Sequence, residues 1–411
     1  MTSRWLQLLS AVLAMVMIAN LQYAWTLFVR PIQEGTNWTL SQIQWAFTLF
    51  IIFETWIMPL EGWLIDRAGP RLFLSVAGVL CGIGWSALGM VESLGAFYVF
   101  YSIAGVGAAF VYSGAIATAL KWFPDRRGLA SGLIAAGFGS GSALFIPLIV
   151  YWIGAYDYRS AFVWSGVIQG AIIILAAQVL RNPDQRDLKA AGQRAAALNP
   201  AVRRNTEQFT TPEMLRTPHF YGLYLMLVMM ATGGLMLTAQ AGPLAKEWGI
   251  SLSALTVALA LDRVANGAGR VFWGWISDRI GRETTMFVAF TLQAFFLLCF
   301  AWFGGRSGFL FTVTLVLTYF TWGQIFALFP SITGDYFGAR NSASNYSFLY
   351  SAKGVASIIG GGVTAILFER LGSWYGPIYG CAVLAMLAAL LSLILRRAAL
   401  PRKAQSAVAV A

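Results

Sequence analysis

The chain has 411 residues, of which 58% are hydrophobic and only 11% are charged. A typical soluble domain has about 25% charged residues, so this chain has too few charges to cover a water-soluble fold of its size. Its apolar residues fall in runs of about 20 or more, the length that crosses a hydrocarbon core about 30 Å thick. Because lipid offers no partners for backbone N–H and C=O groups, these runs predict an all-α membrane protein.

The apolar runs predict twelve transmembrane helices. In chain order they cover residues 4–29, 43–65, 72–91, 95–121, 128–152, 160–181, 219–241, 252–276, 285–304, 308–332, 343–367 and 375–396. The first run is longer than the apolar core of a signal peptide, so we interpret it as a transmembrane helix.

One long polar segment separates these runs into two groups of six. It covers residues 182–217 and is rich in Arg, Asn, Gln and Pro. We therefore expect four parts: an N-terminal six-helix half (1–181), a cytoplasmic linker (182–217), a C-terminal six-helix half (218–397) and a cytoplasmic tail (398–411).

The chain has a net charge of +11, and most of its basic residues lie in the loops between the apolar runs. If the termini are cytoplasmic, most Lys and Arg residues lie in cytoplasmic loops, in the linker or in the tail. The opposite side has only Arg30, Arg159, Lys246, Arg306 and Arg370. Such a bias is the positive-inside pattern, so the basic charge indicates topology and needs no nucleic-acid partner. We expect a monomeric, multi-pass protein of the inner cell membrane with both termini in the cytoplasm.

A polar motif follows the second helix and occurs again after the eighth. The two copies are Gly62-Trp-Leu-Ile-Asp66-Arg67-Ala-Gly69-Pro-Arg71 and Gly274-Trp-Ile-Ser-Asp278-Arg279-Ile-Gly281-Arg282. The repetition indicates two related halves. The first glycine lets two helices approach closely, and the carboxylate and arginines can pair across the cytoplasmic mouth. We predict a latch that holds one end of the protein shut; the alternative is a tight polar turn with only a topological role.

Charges inside the membrane cost free energy, so they are candidates for function. At 1.5 Å per residue, Arg270 lies about 12 Å from the turn at Asp278, and Lys353 lies about 16 Å from the start of its helix. Both belong near mid-membrane, on the eighth and eleventh helices. The sequence shows no acid beside either residue, so two cations without neutralising partners predict an anionic ligand. Arginine can bind a carboxylate through two hydrogen bonds, while lysine is a compact point charge.

Other assignments of these charges stay open. Arg270 could form an ion pair with Asp262 or with Glu54 on the second helix, and Lys353 could extend to the membrane surface. Asp262 and Glu54 are candidate proton carriers or charge-compensating partners. Arg263 lies within about 20° of the helix face that holds Arg270, so it could enlarge the positive region.

Polar and aromatic residues at similar depth complete the candidate substrate site. They are Gln22, Tyr23, Tyr112, Asn266, Trp322 and Tyr350. Together with the two cations they predict an aromatic-walled site for a small organic anion. The sequence shows no nucleophile with a base and no cluster of metal ligands, so we expect neither an enzyme nor a cofactor or metal.

Several stretches in both halves support a narrower resemblance. They are Leu21-Gln-Tyr-Ala-Trp-Thr-Leu27, Trp122-Phe-Pro-Asp-Arg-Arg-Gly-Leu-Ala-Ser-Gly132, Glu213-Met-Leu-Arg-Thr-Pro218, Asn266-Gly-Ala-Gly-Arg270, Phe320-Thr-Trp-Gly323, Ala327-Leu-Phe-Pro-Ser331 and Asn345-Tyr346 through Ala352-Lys353. In these stretches the chain resembles the oxalate:formate antiporter family, and its repeated polar motif resembles the signature loop of the major facilitator superfamily. The resemblance implies that Arg270 and Lys353 are the charge partners of the substrate. It also implies cavity roles for Gln22, Tyr23, Tyr112 and Trp322.

The resemblance is incomplete at the wall of the site. The oxalate carrier of that family has tyrosines where this chain has Phe138 and Phe326, and a tryptophan where it has Tyr350; it also lacks the adjacent Asp262 and Arg263. Monocarboxylate transporters resemble the chain at Arg270 too. Their animal members usually have an acid one turn earlier, where this chain has Asn266, and a lysine on the first helix, which this chain lacks.

The sequence therefore predicts a secondary active transporter of small mono- or dicarboxylates, such as oxalate and formate, that works by alternating access and anion exchange. A proton-coupled symporter of monocarboxylates such as lactate or pyruvate is the alternative. A membrane sensor that does not transport is a different class, and the polar linker and tail are too short for a signalling domain.

Overall fold

The structure is a computed structural model. It describes residues 4–123, 127–183, 205, 207–338 and 341–403. Within these ranges, side chains are described for all residues except 62–68, 120–121, 127–129, 131 and 342–343.

The N-terminal half is a group of six long apolar helices. They are α1 (Arg4–Gly35), α2 (Leu40–Glu61), α3 (Gly69–Ala87), α4 (Leu94–Ala119), α5 (Gly132–Ala155) and α6 (Tyr158–Val179). Hydroxyl or carboxylate side chains cap several of them: Ser93 accepts from the backbone N–H of Ala96, and Asp157 accepts from that of Ser160 at 2.6 Å. Such caps satisfy backbone donors that the first turn of a helix leaves free, and so fix where each helix begins.

The C-terminal half has the same organisation. Its helices are α7 (Pro218–Glu247), α8 (Leu252–Ile280), α9 (Arg282–Arg306), α10 (Gly308–Phe337), α11 (Ser344–Leu371) and α12 (Tyr375–Arg397). Among the described residues, eleven helices are long and apolar enough to cross a membrane by composition alone. The twelfth is α8, whose 29 residues include the charged residues singled out from the sequence. The predicted fold class, twelve transmembrane helices in two halves, is confirmed.

Most helix ends lie within a few residues of the predicted ones, with two clear exceptions. α1 continues to Gly35 and α7 to Glu247, each about six residues past its predicted end. Both helices run through a proline near that end, Pro31 in α1 and Pro243 in α7. A proline normally marks a helix boundary in a sequence, which is why the predictions stopped short.

The internal repeat is visible in the backbone. Gly69, which separates α2 from α3, has φ 73° and ψ 160°. Gly281, between α8 and α9, has φ 90° and ψ 156°. Both glycines have the positive φ that other residues rarely adopt, so the two copies of the polar motif make the same turn in each half.

The described part of the linker attaches to the C-terminal half. Asn205 donates to the backbone carbonyls of Tyr336 and Pro401, and the backbone N–H of Phe209 donates to the carbonyl of Phe337. Glu213 is the third residue of a short helix, Thr211–Leu215, which Thr210 caps. The backbone N–H of Thr210, followed by the ammonium of Lys403, holds the pKa of Glu213 below its usual value.

Candidate functional site

Three transmembrane helices are interrupted directly after predicted substrate-site residues. α1 breaks at Ala24, α10 at Gly323 and Gln324, and α11 at Ser351. Each break directly follows a residue that the sequence singled out: Tyr23, Trp322 and Tyr350. Interrupted helices typically form the substrate sites of secondary transporters, because irregular backbone is tolerated there only where it is buried in protein or lines a cavity.

Arg270 of α8 lies in the middle of this region and is 2% exposed. Its Nε and Nη2 groups donate to Oδ1 of Asn266 at 3.1 and 3.0 Å. Nη2 also donates to the hydroxyl of Tyr23 at 3.2 Å, and Nη1 donates to the carbonyl of Ala135 on α5 at 2.8 Å. All of these acceptors are uncharged. Within the described residues Arg270 forms no ion pair, so its charge lacks a direct counter-charge.

Lys353 of α11 has a different environment. Its Nζ donates to Oε2 of Glu54 at 2.8 Å, to Oε1 of Gln22 at 2.8 Å and to the hydroxyl of Tyr350 at 3.3 Å. The side chains of Lys353 and Glu54 are each 1% exposed. The expectation that Lys353 has no neutralising partner is therefore wrong. Its partner lies 299 residues away in the chain, where no local pattern could reveal it.

Two phenylalanines cover the cations. The guanidinium carbon of Arg270 lies 4.1 Å from the ring centre of Phe326. The Nζ of Lys353 lies 5.6 Å from the ring of Phe138 and 5.9 Å from that of Phe326. The faces of aromatic rings carry negative charge and attract cations within about 6 Å. The positions that lack a hydroxyl relative to the oxalate carrier thus contact both cations directly.

The remaining predicted wall residues belong to the same cluster. Tyr112 of α4 stacks on Tyr350 of α11 with ring centres 5.6 Å apart. Trp322 of α10 meets Phe326 edge-on at 5.2 Å, and Phe326 in turn contacts Tyr350 at 6.3 Å. The structure therefore brings all eight predicted substrate-site residues into one connected region that includes both halves.

A second pair of charged residues, Asp262 and Arg263, lies on the same helix as Arg270, α8. Nε of Arg263 donates to a carboxylate oxygen of Asp262, and both side chains are at most 1% exposed. The guanidinium of Arg263 lies between two tyrosine rings, 4.4 Å from Tyr23 and 3.9 Å from Tyr319. Tyr23 therefore contacts Arg263 through its ring and Arg270 through its hydroxyl. The sequence did not indicate Tyr319, because nothing distinguishes it from a packing residue.

Many buried polar atoms of this region have no hydrogen-bond partner. Among the described side chains they include Nδ2 and Oδ1 of Asn20, Nε2 of Gln22, Oε1 of Glu54, Oδ2 of Asp262, Nη1 and Nη2 of Arg263, Nδ2 of Asn266, Nε1 of Trp322, and Nε2 and Oε1 of Gln324. Buried polar atoms are rarely left unpaired in folded proteins. Donors and acceptors on both halves are thus available to a polar ligand.

Hydrogen bonds and an ion pair join the two halves beside the site. Where α1 and α2 meet α7, Nε2 of Gln44 donates to the carbonyl of Ala239 at 2.8 Å, and Lys246 pairs with Glu34 at 3.6 Å. Next to the pair of Glu54 and Lys353, Nε1 of Trp56 on α2 donates to the carbonyl of Ser351 on α11 at 3.0 Å. Among the described residues these contacts lie around Arg270 and Lys353, which are 2% and 1% exposed.

The repeated polar motif is partly described. Gly62, Asp66 and Arg67 lie in the segment whose side chains are outside the described set, so their contacts stay a prediction; Arg71 is exposed. In the second copy, Asp278 accepts from Arg282 at 2.7 Å.

The second copy also joins three helices. Nε of Arg282 donates to Asp335 of α10 at 2.9 Å, whereas Arg279 lies 3.8 Å from the ring of Trp275. The described copy thus connects α8, α9 and α10 within one half through Arg282. The role of the first copy as a latch between halves stays a prediction.

Comparison with known proteins decides the family. The sequence profile of the Major Facilitator Superfamily matches residues 8–239 and again residues 221–409. This chain belongs to the major facilitator superfamily. It is therefore a multi-pass membrane transporter of a small molecule, and its two overlapping matches cover both halves.

Three relatives show which transporters this chain is similar to. The oxalate:formate antiporter of Oxalobacter formigenes is 40% identical over 370 residues, which are 90% of this chain and 86% of the relative. A probable sulfoacetate transporter of Cupriavidus necator is 24% identical over 89% of this chain and 87% of its own length. Apicoplast pyruvate carrier 1 of Toxoplasma gondii is 23% identical over 82% and 71%. The predicted resemblance to the oxalate:formate antiporter family is confirmed.

Proposed function

We propose that this transporter carries small carboxylates by anion exchange, with Arg270 as the residue that binds the carboxylate. The observation behind the proposal is a guanidinium that is 2% exposed and has only uncharged acceptors among the described residues. Leaving a charge buried without a partner costs roughly 3–5 kcal/mol. An anionic substrate removes that cost when it binds.

The geometry around Arg270 suits a carboxylate. Asn266 places one oxygen against both Nε and Nη2, the edge that a carboxylate uses for a bidentate contact. A bound carboxylate would replace this single neutral oxygen with two charged ones. The amide nitrogen of Asn266 has no hydrogen-bond partner in the described ranges and would donate to the substrate. Tyr23 already contacts Nη2 and would limit how the substrate lies.

The relatives support the same class of cargo. Oxalate, formate, pyruvate and sulfoacetate, the compounds in their names, are all small organic anions with a carboxylate group. The aromatic wall of Phe138, Phe326, Tyr112 and Tyr350 favours a short substrate, because these rings lie close to both cations.

Exchange follows from the unpaired charge of Arg270. To reorient without cargo, the halves must close around a guanidinium that forms no ion pair within the described part of the chain. Bound anion lowers the cost of this closed state, so the carrier returns more readily when it is loaded with another anion. The 40% identical relative is an antiporter by name, which supports the same choice.

One observation favours a second candidate, proton-coupled monocarboxylate symport. Glu54 lies in the site itself, on Lys353, where it could take up a proton when the ion pair separates. A pyruvate carrier is also among the relatives. Asp262, bound to Arg263, is a second position for such a proton.

For the rest of the molecule we keep the topology that the loop charges support. We propose that the halves 1–181 and 218–397 rock against each other, with linker 182–217, tail 398–411 and both termini in the cytoplasm of an inner membrane. Each chain contributes both halves of the site, so a monomer suffices. The first polar motif would act as the cytoplasmic latch.

Counterflow into proteoliposomes tests the proposal. Vesicles preloaded with unlabelled formate, oxalate, lactate, pyruvate or malonate are diluted into the same labelled anion, with and without a pH gradient. We expect accumulation only with an internal carboxylate, and its loss in Arg270→Gln. Arg306→Gln, which removes an exposed arginine at the end of α9, is the matched control. Full counterflow in Arg270→Gln would refute the site; uptake driven by a pH gradient into anion-free vesicles would favour symport.

A further inference from the structure

The ammonium of Lys353 is already saturated. It has three N–H groups, and Glu54, Gln22 and Tyr350 accept one each. No donor of Lys353 is therefore left for a substrate in this closed arrangement. A second carboxylate of a substrate could reach Lys353 only by displacing the carboxylate of Glu54.

Among the residues that the structure describes, the charges that contact Tyr23, Gln22 or Tyr350 (Arg270, Arg263 with Asp262, and Lys353 with Glu54) sum to +1. Lys353 is neutralised by Glu54, and Arg263 is neutralised by Asp262. Within the part of the chain that the structure describes, this leaves Arg270 as the uncompensated charge beside the helix breaks. A monoanion balances that charge, whereas a dianion would leave one buried negative charge in excess, at a cost similar to that of any unpaired buried ion.

We propose that Glu54 is a specificity-determining residue: it occupies the place that the second carboxylate of a dicarboxylate would take, and so restricts the cargo to monocarboxylates. The inference rests on the proposed function, because it assumes that the cargo is a carboxylate bound at Arg270. Glu54 acts as an internal counter-ion of Lys353. Within the described residues only Arg270 is then left to balance the charge of the cargo, so the cargo should carry a single negative charge. Among the candidate substrates, formate-, lactate- and pyruvate-like anions fit, and oxalate and malonate do not.

The position of Glu54 explains why it can do this. It lies on α2 of the N-terminal half, while Lys353 lies on α11 of the C-terminal half, so the pair forms across the interface that must open during transport. Its second oxygen, Oε1, has no hydrogen-bond partner among the described residues, and none of their bonds fixes it. Glu61, the next acid on α2, is seven residues away, about 10 Å along the helix, and does not contact Lys353.

The test compares two substrates in the same preparation. Counterflow of labelled formate and labelled oxalate is measured at neutral pH, where formate is a monoanion and oxalate a dianion. The ratio of the two rates does not depend on how much of the protein is folded. The variants are Glu54→Gln, Lys353→Gln and the double variant, with Thr48→Ala as control. Thr48 forms a neutral hydrogen bond between the same two helices, to the carbonyl of Ser357 at 3.0 Å.

Each variant has its own expected result. Wild type should prefer formate. Glu54→Gln should shift the ratio toward oxalate by about 10- to 100-fold, the range that one hydrogen bond to a charged group supports. Lys353→Gln leaves Glu54 unpaired and should depress formate transport at least about tenfold by the same reasoning. The double variant restores the single positive charge and should recover formate transport, while Thr48→Ala should leave the ratio unchanged.

Three outcomes would overturn the inference: a wild-type preference for oxalate, an unchanged ratio in Glu54→Gln, or no recovery in the double variant relative to Lys353→Gln. Failure of the proposed function looks different. In that case neither anion shows counterflow in wild type, or Arg270→Gln transports both at the wild-type rate. If Arg270→Gln abolishes transport but Glu54→Gln leaves the ratio unchanged, only the role of Glu54 is refuted.

Discussion

Asn266→Asp should turn the neutral acceptor on Arg270 into an internal competitor of the substrate. The side chain keeps its size, so its oxygen stays against Nε and Nη2, where the amide oxygen lies at 3.1 and 3.0 Å. A charged acceptor strengthens each hydrogen bond by roughly 1 kcal/mol over a neutral one. Two bonds give roughly 2 kcal/mol, which corresponds to about 30-fold weaker carboxylate binding.

Binding by purified protein measures the effect directly. Titration calorimetry with formate at neutral pH gives the affinity of wild type, Asn266→Asp and Asn266→Ala. The alanine variant removes the same two bonds without adding charge, so it should lose less affinity than the aspartate variant. Equal losses in both variants would refute the idea that Arg270 binds the cargo through its unpaired charge.

Three other predictions follow from the site and the topology. Gln22→Ala should weaken substrate binding by about 1 kcal/mol, the scale of a single hydrogen bond, since it removes Nε2 of Gln22, a donor that has no partner among the described residues; Tyr112→Phe should have an effect of the same size, and unchanged affinities in both would make them packing residues. Asp66→Asn should slow counterflow more than it weakens binding, because the proposed latch is remote from Arg270; equal losses would contradict that role. A cysteine introduced by Pro200→Cys should react only with membrane-permeant reagents in right-side-out vesicles, and labelling by an impermeant reagent would reverse the topology.

The architecture could be predicted because lipid imposes it on the sequence. Runs of about 20 apolar residues have to become helices, and the repeated motif marks equivalent turns at Gly69 and Gly281. Helix arithmetic also placed Arg270 and Lys353 at mid-depth, since the rise per residue is constant along a helix. Their convergence with Gln22 and Tyr23 followed from the family resemblance, which fixes which helix faces point inward.

The pairing of charges could not be predicted in the same way. Periodicity assigns a residue to a face of its own helix, but it does not say which face of another helix lies opposite. The sequence is compatible with Glu54 as a partner of Arg270 or as a proton carrier. In the structure Glu54 forms an ion pair with Lys353. The same limit applies to Phe138 and Phe326. The family resemblance indicates only that these positions lack a hydroxyl, whereas the structure shows that their rings lie beside the cations.

The difference between the two cations changes what a transport assay means. If Arg270 and Lys353 were both unpaired, a dicarboxylate would be the natural cargo, and Lys353→Gln would harm dicarboxylates more than monocarboxylates. Because Glu54 neutralises Lys353, removal of the lysine instead exposes an internal carboxylate next to Arg270. Monocarboxylates should then suffer as well, since the site loses its only net positive charge within the described residues. A selective loss of dicarboxylate transport in Lys353→Gln would therefore show that Glu54 leaves Lys353 when the substrate binds.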